Sequence, residues 1–268
     1  MFESLSRMSA VFLRYFYLHK RSMPRTFEIV FWPVMELFLW GFVSVYLRNI
    51  SGNALATVAR SLINAMIFWD ILYRSQQGIS VSFVEDIWTQ NIINVLISPL
   101  KIWEWILATF IYGAAKTTVI TIILSMIAAL LYKFNLIGNL HFYLIPLVFN
   151  LLLFGWALGI FTSSLIVRWG HAAEALIWGI PFLVQPVSAI FYPLSILPGW
   201  VQIISKCLPS TYVFEGMRAV TQTGQMPYAY IWMGFALNIL YLALAGLFFD
   251  LMYKKARKSG RLGRLGMD

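Results

Sequence analysis

The sequence predicts an all-α integral membrane protein with six transmembrane helices. Hydrophobic residues fill 60% of its 268 positions and charged residues only 12%, a composition that soluble globular domains do not reach. Six apolar stretches have the roughly twenty residues that a helix needs to cross about 30 Å of hydrocarbon. Three further stretches predict an N-terminal interfacial helix, a cytoplasmic helix between spans two and three, and a re-entrant hairpin between spans five and six.

The N-terminal segment, residues 1–27, mixes basic with aromatic side chains, which is typical of a helix lying in the headgroup layer. A loose basic tail is the alternative. Pro24 separates this helix from the first span. The first apolar stretch is not followed by a small-residue cleavage site, so we expect no cleavable signal sequence.

The predicted spans together form a membrane domain over residues 28–252. The second span is the most polar because it contains Arg60, Asp70 and Arg74, and each charge costs about 2.5 to 3.5 kcal/mol at a helix centre. Asp70 and Arg74 are spaced to pair along one helix face, and we place both toward one end of the span. The six spans are 28–47, 55–75, 104–132, 142–167, 174–192 and 229–252.

The net charge of +9 predicts an orientation rather than a nucleic-acid partner. Basic residues concentrate before the first span and in the tail, residues 253–268. The positive-inside rule therefore places both termini in the cytoplasm. The loops assigned to the outside contain only four basic residues, which are Arg48, Lys133, Lys206 and Arg218.

The stretch SVSFVEDIWTQNIINVLISPLK, residues 80–101, predicts an amphipathic cytoplasmic helix over about 82–97. Ser82 and Glu85 have the spacing of a capping box, and Pro99 ends the pattern. One face is apolar and the other polar, so one face can pack against a partner. A helix that only braces two spans is the alternative. The apolar face consists of Val84, Ile87, Trp88, Ile92, Val95 and Leu96, and the polar face of Glu85, Asp86, Thr89, Gln90 and Asn94.

Residues 193–228 are too apolar for a simple loop, yet Pro193, Pro198 and Pro209 divide them into pieces too short to span. A re-entrant hairpin fits this pattern, because irregular backbone is tolerated where protein or a water-filled cavity surrounds it. A lipid-facing interfacial loop is the alternative. Glu215 and Arg218 are spaced for a local ion pair.

Charged residues inside predicted spans are functional candidates because they are expensive there. Glu36 and Lys116 fall at similar depths on spans one and three, which predicts a buried, mainly structural pair. Gly155 and Gly159 have a small-xxx-small spacing typical of close helix packing, within the subunit first and between subunits second. The intramembrane charges are Glu36, Arg60, Asp70 and Lys116.

The sequence gives no sign of catalysis by this chain. Cys207 is its single cysteine, and its three histidines lie far apart, so we predict no metal site. It contains no G-x-x-x-x-G-K-[ST] loop for nucleotide phosphates and no nucleophile with an adjacent base. We therefore predict no catalytic residues and no cofactor bound by this chain.

Two motifs carry a family resemblance. The pattern from Phe191 to Leu197-Pro198 and Trp200, followed by Pro209-Ser210-Thr211-Tyr212 with Glu215 and Arg218, resembles the C-terminal motif of ABC-2 type transporter permeases. The Glu85 to Leu100 segment is similar to the coupling helix of that family. The resemblance implies the membrane subunit of an exporter, in a bacterial cytoplasmic (inner) membrane, working with a separate ATPase that holds ATP and Mg. It also implies a second permease copy, most simply a homodimer, and an amphiphilic, lipid-linked, polysaccharide or drug-like substrate.

The resemblance implies roles for two groups of residues. The coupling helix would dock the ATPase through Val84, Glu85, Asp86, Ile87, Trp88 and Val95, with Trp88 as the main anchor; anchoring in the headgroup belt is the alternative for Trp88. The hairpin would form an aromatic gate from Phe191, Tyr192, Trp200, Tyr212 and Phe214. The alternative function is an ion-gradient-driven secondary transporter that uses Glu36 and Asp70 as proton carriers, although no convincing internal repeat supports it.

Overall fold

The computed structural model describes residues 2–51 and 56–259, and the described part is helical without strands. Short 3₁₀ turns at His141–Tyr143, Gly170–Ala173 and Leu194–Ile196 connect some of the α-helices. The α-helices are α1 (Phe2–Lys20), α2 (Met23–Ser51), α3 (Ala56–Trp88), α4 (Ile92–Ile97), α5 (Ile102–Tyr132), α6 (Leu136–Leu140), α7 (Leu144–Trp169), α8 (Ala175–Val184), α9 (Gly199–Lys206), α10 (Pro209–Thr223) and α11 (Tyr228–Lys258).

Four segments of the described residues are long and apolar enough to cross a membrane: Met23–Ile50, Ile102–Tyr132, Leu136–Ala173 and Tyr228–Lys258. They contain the predicted spans one, three, four and six. The predicted second span lies in α3, which has 33 residues but is more polar. The count of six spans therefore stays a prediction.

The predicted fifth span, 174–192, is interrupted, as expected for a span that contains Pro181 and Pro186. Helix α8 has only ten residues, which is about 15 Å at the helical rise, half of the hydrocarbon thickness. It ends at Val184, two residues before Pro186, whose nitrogen has no hydrogen to donate to the helical ladder. The chain continues from there as turns and irregular backbone to Pro193.

Helix α3 is the centre of the bundle and packs against α2, α5, α7, α8 and α10. The helices run up and down, so their ends meet at two opposite sides. At one side, which we call the α1 end, α1 packs against the end of α3, the beginning of α5 and the end of α11 through a shared apolar cluster. At the opposite end, the Ser44 hydroxyl on α2 donates to the Ala59 carbonyl at the beginning of α3 at 3.0 Å.

The separate helix predicted over about 82–97 is wrong, because α3 continues unbroken to Trp88. Ser82 makes no cap: its hydroxyl donates to the Gly78 carbonyl at 2.8 Å inside the helix. The chain turns only at Gln90, which has φ 54°, and then forms the six-residue helix α4. The physical reason is burial, since the last turns of α3 pack against α1 and α5 and gain by remaining helical.

The predicted hairpin, about 193–228, contains two short helices, α9 and α10, as its prolines indicate. Pro198 directly precedes α9, and Pro209 occupies the first turn of α10, where a missing N–H is tolerated. Helix α10 packs inside the bundle against α7 and α11. Its re-entry into a membrane stays a prediction. At the C-terminus α11 extends to Lys258, so the predicted tail begins as helix, and residues 260–268 lie outside the described ranges.

Candidate functional site

Ion pairs fasten α1 and the beginning of α2 to the α1 end of the bundle. Arg7 donates from Nε and Nη2 to the Glu104 carboxylate at 2.9 and 2.7 Å. Arg14 pairs with Asp86, and Arg25 lies 3.4 Å from Glu85. All three carboxylates are buried, so their charge is neutralised within this chain.

Tyr15 completes the network around Asp86. Its hydroxyl donates to Asp86 Oδ2 at 2.7 Å, and its ring is fully buried. Burial and the adjacent Asp86 carboxylate raise the pKa of Tyr15 well above its ordinary value, so the hydroxyl keeps its proton and remains a donor. Helix α1 is therefore an integral part of this end of the protein.

Most of the predicted docking face is buried within this chain. Val84 is 0% exposed and Ile87 is 1% exposed, because both belong to an apolar cluster that contains residues of α1, α5, α7 and α8. Glu85 and Asp86 are buried in the ion pairs described above. These four predicted contact residues are therefore inside the subunit and do not form an accessible surface. The sequence pattern could not distinguish a face that awaits an ATPase from one that other helices of the same chain already cover.

Trp88 is different, since its side chain is 53% exposed. Its indole Nε1 donates to Glu174 Oε1 at 3.0 Å, and His171 Nδ1 contacts the same oxygen. This contact ties the end of α3 to the turn between α7 and α8. Sequence reasoning placed both segments on the same side but missed this link, because 86 positions separate Trp88 from Glu174.

We use the name 88–174 surface for two segments that lie side by side, residues 88–101 and the turn 170–174. Ile97 is exposed, whereas Val95 is half-buried against the α1 cluster. Exposed polar residues Thr89, Gln90, Asn94 and Lys101 lie in the same segment. An exposed aromatic and an exposed aliphatic side chain within a polar surround are typical of a protein interface.

A cavity of about 760 Å³ opens beside this surface, between α2, α3, α5 and α8. Its wall combines charged residues with aromatic rings, and Trp88 lines it too. Glu36 and Lys116 both border this space, but among the described residues they form no ion pair with each other. The predicted Glu36–Lys116 pair is therefore wrong, because an open cavity occupies the space where the two side chains were expected to meet. The charged lining residues are Arg25, Glu28, Glu36, Arg74, Glu85 and Lys116, and the aromatic ones include Trp32, Tyr73, Trp88, Trp178 and Phe182.

The remaining intramembrane charges have separate positions. Arg74 Nε donates to both carboxylate oxygens of Asp70 at 2.8 and 2.9 Å, so these residues pair as their spacing predicts. They lie near the middle of α3 rather than toward one end, because that helix is longer than the predicted span. Arg60 is exposed near the beginning of α3, at the opposite end of the bundle.

Gly155 and Gly159 lie against α3 within the subunit. A Cβ atom at Gly155 would come within 2.8 Å of the Leu72 carbonyl oxygen, and one at Gly159 would lie equally close to the Gln76 carbonyl. The α3–α7 contact therefore depends on the absence of side chains at these positions. Sequence reasoning missed a second close contact, between Gly78 of α3 and Gly113 of α5.

The five aromatic residues of the predicted gate lie in different surroundings. Phe214 is fully buried and Trp200 is 69% exposed. Phe191 stacks on Trp40 of α2, with ring centroids 4.2 Å apart, and Tyr212 contacts Tyr230 of α11. The Tyr192 hydroxyl donates to the Pro186 carbonyl at 2.5 Å. Among the ring pairs of the described residues none joins two of the five, so the aromatic gate stays a prediction.

Arg218 instead organises this region. It pairs with Glu215 at 2.6 Å, as the spacing predicts, and its Nη2 also donates to the carbonyls of Ala189, Ile190 and Tyr192 at 2.8 to 3.2 Å. Glu215 in turn accepts a hydrogen bond from the Leu194 backbone at 2.8 Å. Together the two residues satisfy the irregular backbone that follows α8.

Within the described residues no group of three or more His, Cys, Asp or Glu side chains is placed to hold a metal ion.

The model of the ABC-2 type transporter family matches residues 9–221. A search of curated proteins found no significant match. The membrane component of such a transporter works with an ATPase on a separate subunit. Because the family match covers most of an apolar, helical chain, this integral membrane protein belongs to the ABC-2 type transporter family and is a permease of the ABC type.

Proposed function

We propose that this chain is the transmembrane permease subunit of an ATP-driven exporter in a bacterial cytoplasmic (inner) membrane. A separate ATPase subunit would bind ATP and Mg and act on the 88–174 surface. The observation that carries the proposal is the position of Trp88, which lies on this surface, at the end of α3 and in the wall of the 760 Å³ cavity. One residue thus connects a candidate docking surface to a candidate substrate path.

The helices next to Trp88 provide a mechanical connection. Helix α3 is continuous for 33 residues, so a push at its end moves Tyr73 and Arg74, which line the cavity. The Trp88–Glu174 hydrogen bond passes the same displacement to α8, whose Trp178 and Phe182 line the cavity as well. A shift of α3 and α8 together relative to α2 and α5, which form the other walls of the cavity, would change its width, as in other switches built from rigid elements.

The cavity lining favours an amphiphilic substrate. Lys116 provides positive charge and Glu28 and Glu36 provide negative charge, while Arg25 and Arg74, which are paired with Glu85 and Asp70, add polar groups to the wall. Aromatic rings at the same site can contact hydrocarbon or the apolar faces of sugars. A lipid-linked, polysaccharide or drug-like molecule with a polar group satisfies both requirements. Asp70 belongs to this proposal as a structural residue, because both of its carboxylate oxygens are occupied by Arg74.

The proposal places the α1 end in the cytoplasm, because α1 and the last turns of α11 both lie there and residues 1–27 and 253–268 together contain 11 of the 20 basic residues. A second copy of the permease would complete the path, and a homodimer is the simplest arrangement. Each copy would then present one 88–174 surface to one ATPase.

The test replaces Trp88 by alanine in the complete transporter. An exposed aromatic at the centre of an interface often contributes 2 kcal/mol or more, so we expect ATP-dependent transport in vesicles to fall at least about tenfold. Co-purification of the ATPase should weaken in parallel. The matched control is Trp232→Ala, which removes an exposed tryptophan of α11 outside the 88–174 surface and should change neither quantity.

Equal transport by both variants and wild type would contradict the assignment of this surface. Transport that needs no ATPase but follows a proton gradient, and is lost in Glu36→Gln, would favour the secondary transporter instead. Helical content and membrane insertion of each variant should be checked by circular dichroism and membrane fractionation.

A further inference from the structure

Three basic residues converge on one pocket at the end of the bundle opposite α1. The pocket has a volume of about 380 Å³ and lies between the end of α2, the beginning of α3 and the turn after α5. Arg48, Arg60 and Lys133 line it, together with the polar side chains of Ser44, Asn135 and Asn139. Its lining contains no acidic residue.

The three cations also have no carboxylate nearby in the sequence. Positions 37–69 and 105–173, which include the whole pocket lining, contain no Asp or Glu. Among the described residues Arg48, Arg60 and Lys133 take part in no ion pair, and Glu215, the acid in α10, is already paired with Arg218. Three like charges at one pocket repel each other unless an anion is bound between them.

A second, apolar cavity continues from this pocket along the outside of the bundle. It measures about 600 Å³, lies between α5 and α7, and shares Phe134 and Asn135 with the basic pocket. Aliphatic side chains form most of its wall, including Ile122, Met126 and Val148. The groove therefore offers hydrocarbon contact directly beside a cluster of positive charge.

Three of the four hydroxyl groups that line the groove need no polar ligand. Thr118 donates to the Ala114 carbonyl at 2.9 Å, Thr121 to Thr117 at 2.9 Å, and Ser125 to Thr121 at 2.7 Å. Each of these three is thus satisfied within α5 and leaves carbon atoms toward the groove, whereas the buried Thr117 hydroxyl has no hydrogen-bond partner among the described residues. This chemistry fits an alkyl chain better than a sugar or a peptide.

We propose that the basic pocket and the groove together bind one anionic phospholipid. Its phosphate lies between Arg48, Arg60 and Lys133, and an acyl chain follows the groove between α5 and α7. The site is separate from the 760 Å³ cavity, shares no residue with it, and does not depend on the proposed transport function. The bound lipid cross-links the α2–α3 hairpin to the end of α5 and stabilises the bundle where its positive charges meet.

Binding is measured by native mass spectrometry on the delipidated full-length protein in detergent. The probes are phosphatidylglycerol, phosphatidylcholine with the same acyl chains, and soluble glycerol phosphate. We expect one phosphatidylglycerol per chain, with an affinity at least about tenfold above that of phosphatidylcholine, since charge-assisted hydrogen bonds to phosphate favour the anion. Glycerol phosphate should not bind measurably, because it cannot fill the groove.

Two kinds of variant locate the lipid. Arg60→Gln and Lys133→Gln each remove one exposed charge and should weaken phosphatidylglycerol binding about tenfold, whereas the control Lys206→Gln should have no effect. Ala129→Trp puts an indole into the groove and should weaken binding of both phospholipids. The melting temperature without lipid shows that each variant is folded.

Equal affinity for the two phospholipids would overturn the proposal, and so would an equal loss in the Lys206→Gln control. If glycerol phosphate binds as tightly as phosphatidylglycerol, the pocket is a site for a free anion and the lipid assignment is wrong. Unchanged binding in Ala129→Trp would exclude the groove as the position of the acyl chain.

Discussion

Arg218 shows how a single residue can hold irregular backbone inside a helical bundle. Unpaired carbonyls cost several kcal/mol in a membrane interior, and the chain leaves helical geometry between Val184 and Pro193. Three of the carbonyls freed there accept hydrogen bonds from Arg218 Nη2. The guanidinium group thus replaces the missing helical ladder.

Replacing Arg218 by methionine should destabilise the protein by about 3 kcal/mol, because it leaves the Glu215 carboxylate and the three carbonyls without their donor. We expect a clearly lower melting temperature in detergent and faster proteolysis between residues 185 and 198. Lys206→Met is the control, since this exposed lysine forms no ion pair among the described residues and its loss should be neutral. An Arg218→Met protein as stable as wild type would show that the hydrogen bonds and the ion pair of Arg218 do not contribute to stability.

His19 makes the attachment of α1 sensitive to pH. Its ring is partly buried beside Tyr112, and Nδ1 lies 3.0 Å from the Tyr15 carbonyl. Burial, and then the charges of Lys116 and Arg25, lower the pKa of His19 to about 4. The folded protein therefore holds this imidazole neutral at pH 7.

Acidification should loosen α1 through this residue. Between about pH 6.5 and 4, His19 binds a proton when α1 is detached but stays neutral when α1 is packed on the bundle. The free energy that holds α1 in place therefore falls as the pH is lowered through this window. Because the ring is partly exposed, we expect about 1 kcal/mol, less than a fully buried histidine would give. Tryptic cleavage within α1 at pH 5.0 and 7.5 measures the effect. A His19→Gln variant should lose most of this pH difference; an undiminished difference would assign it to other groups.

The distance along the chain decided which contacts the sequence could predict. Asp70–Arg74 and Glu215–Arg218 are local pairs on a helix, and their spacing predicts them. Arg7–Glu104 and Arg14–Asp86 join residues 97 and 72 positions apart. Such pairs depend on how the helices pack. Before the fold is known, each basic residue could pair with any of the eleven acidic residues on the six predicted spans and their flanking segments.

At the scale of elements, α3 explains the largest difference between expectation and structure. The amphipathic pattern of residues 80–101 correctly indicates one apolar face and one polar face. Other helices of the same chain explain both faces: Val84 and Ile87 pack in an apolar cluster with residues of α1, α5 and α7, and Arg14 of α1 neutralises Asp86. Hydrophobic periodicity gives the direction of a face but not the identity of what covers it.

The α3–α7 contact gives a prediction at this scale. Gly155→Leu places a Cβ atom 2.5 Å from Ser75 Cβ and 2.8 Å from the Leu72 carbonyl oxygen. Backbone atoms cannot rotate away, so the helices must separate and we expect a loss of about 3 kcal/mol. Gly246→Leu in α11 is a matched control, because nothing lies within 4 Å of its added Cβ.

Melting temperatures of the two leucine variants in the same detergent check this prediction. Both changes replace glycine by a better helix former, so helix propensity alone would stabilise both. Only tight packing predicts a large difference between them. Similar melting temperatures would mean that α3 and α7 are farther apart than their glycine contacts indicate.

At the scale of the whole molecule, the helix ends sort the chain into two chemically different sides. The α1 end has its carboxylates neutralised by arginines and carries the 88–174 surface. The opposite end combines Arg48, Arg60 and Lys133, which form no ion pair with any residue that the structure describes, with the α9–α10 hairpin. Composition predicted a membrane protein and charge counts predicted an orientation, but neither could show that these three basic residues meet in one pocket.

The orientation can be tested with the chain's own single cysteine. Cys207→Ser gives a cysteine-free background, into which Gln225→Cys and Ser259→Cys are introduced one at a time. Both positions are exposed. Gln225 lies in the turn before α11, at the end opposite α1, and Ser259 follows α11 at the α1 end. A membrane-impermeant maleimide should label Gln225→Cys in intact cells and Ser259→Cys only after the cells are opened, because both termini are proposed to be cytoplasmic.

The reverse labelling pattern would show that the protein has the opposite orientation, in which the 88–174 surface lies out of reach of cytoplasmic ATP. Labelling of both positions in intact cells would mean that the chain does not cross the membrane between them, which would contradict α11 as a span.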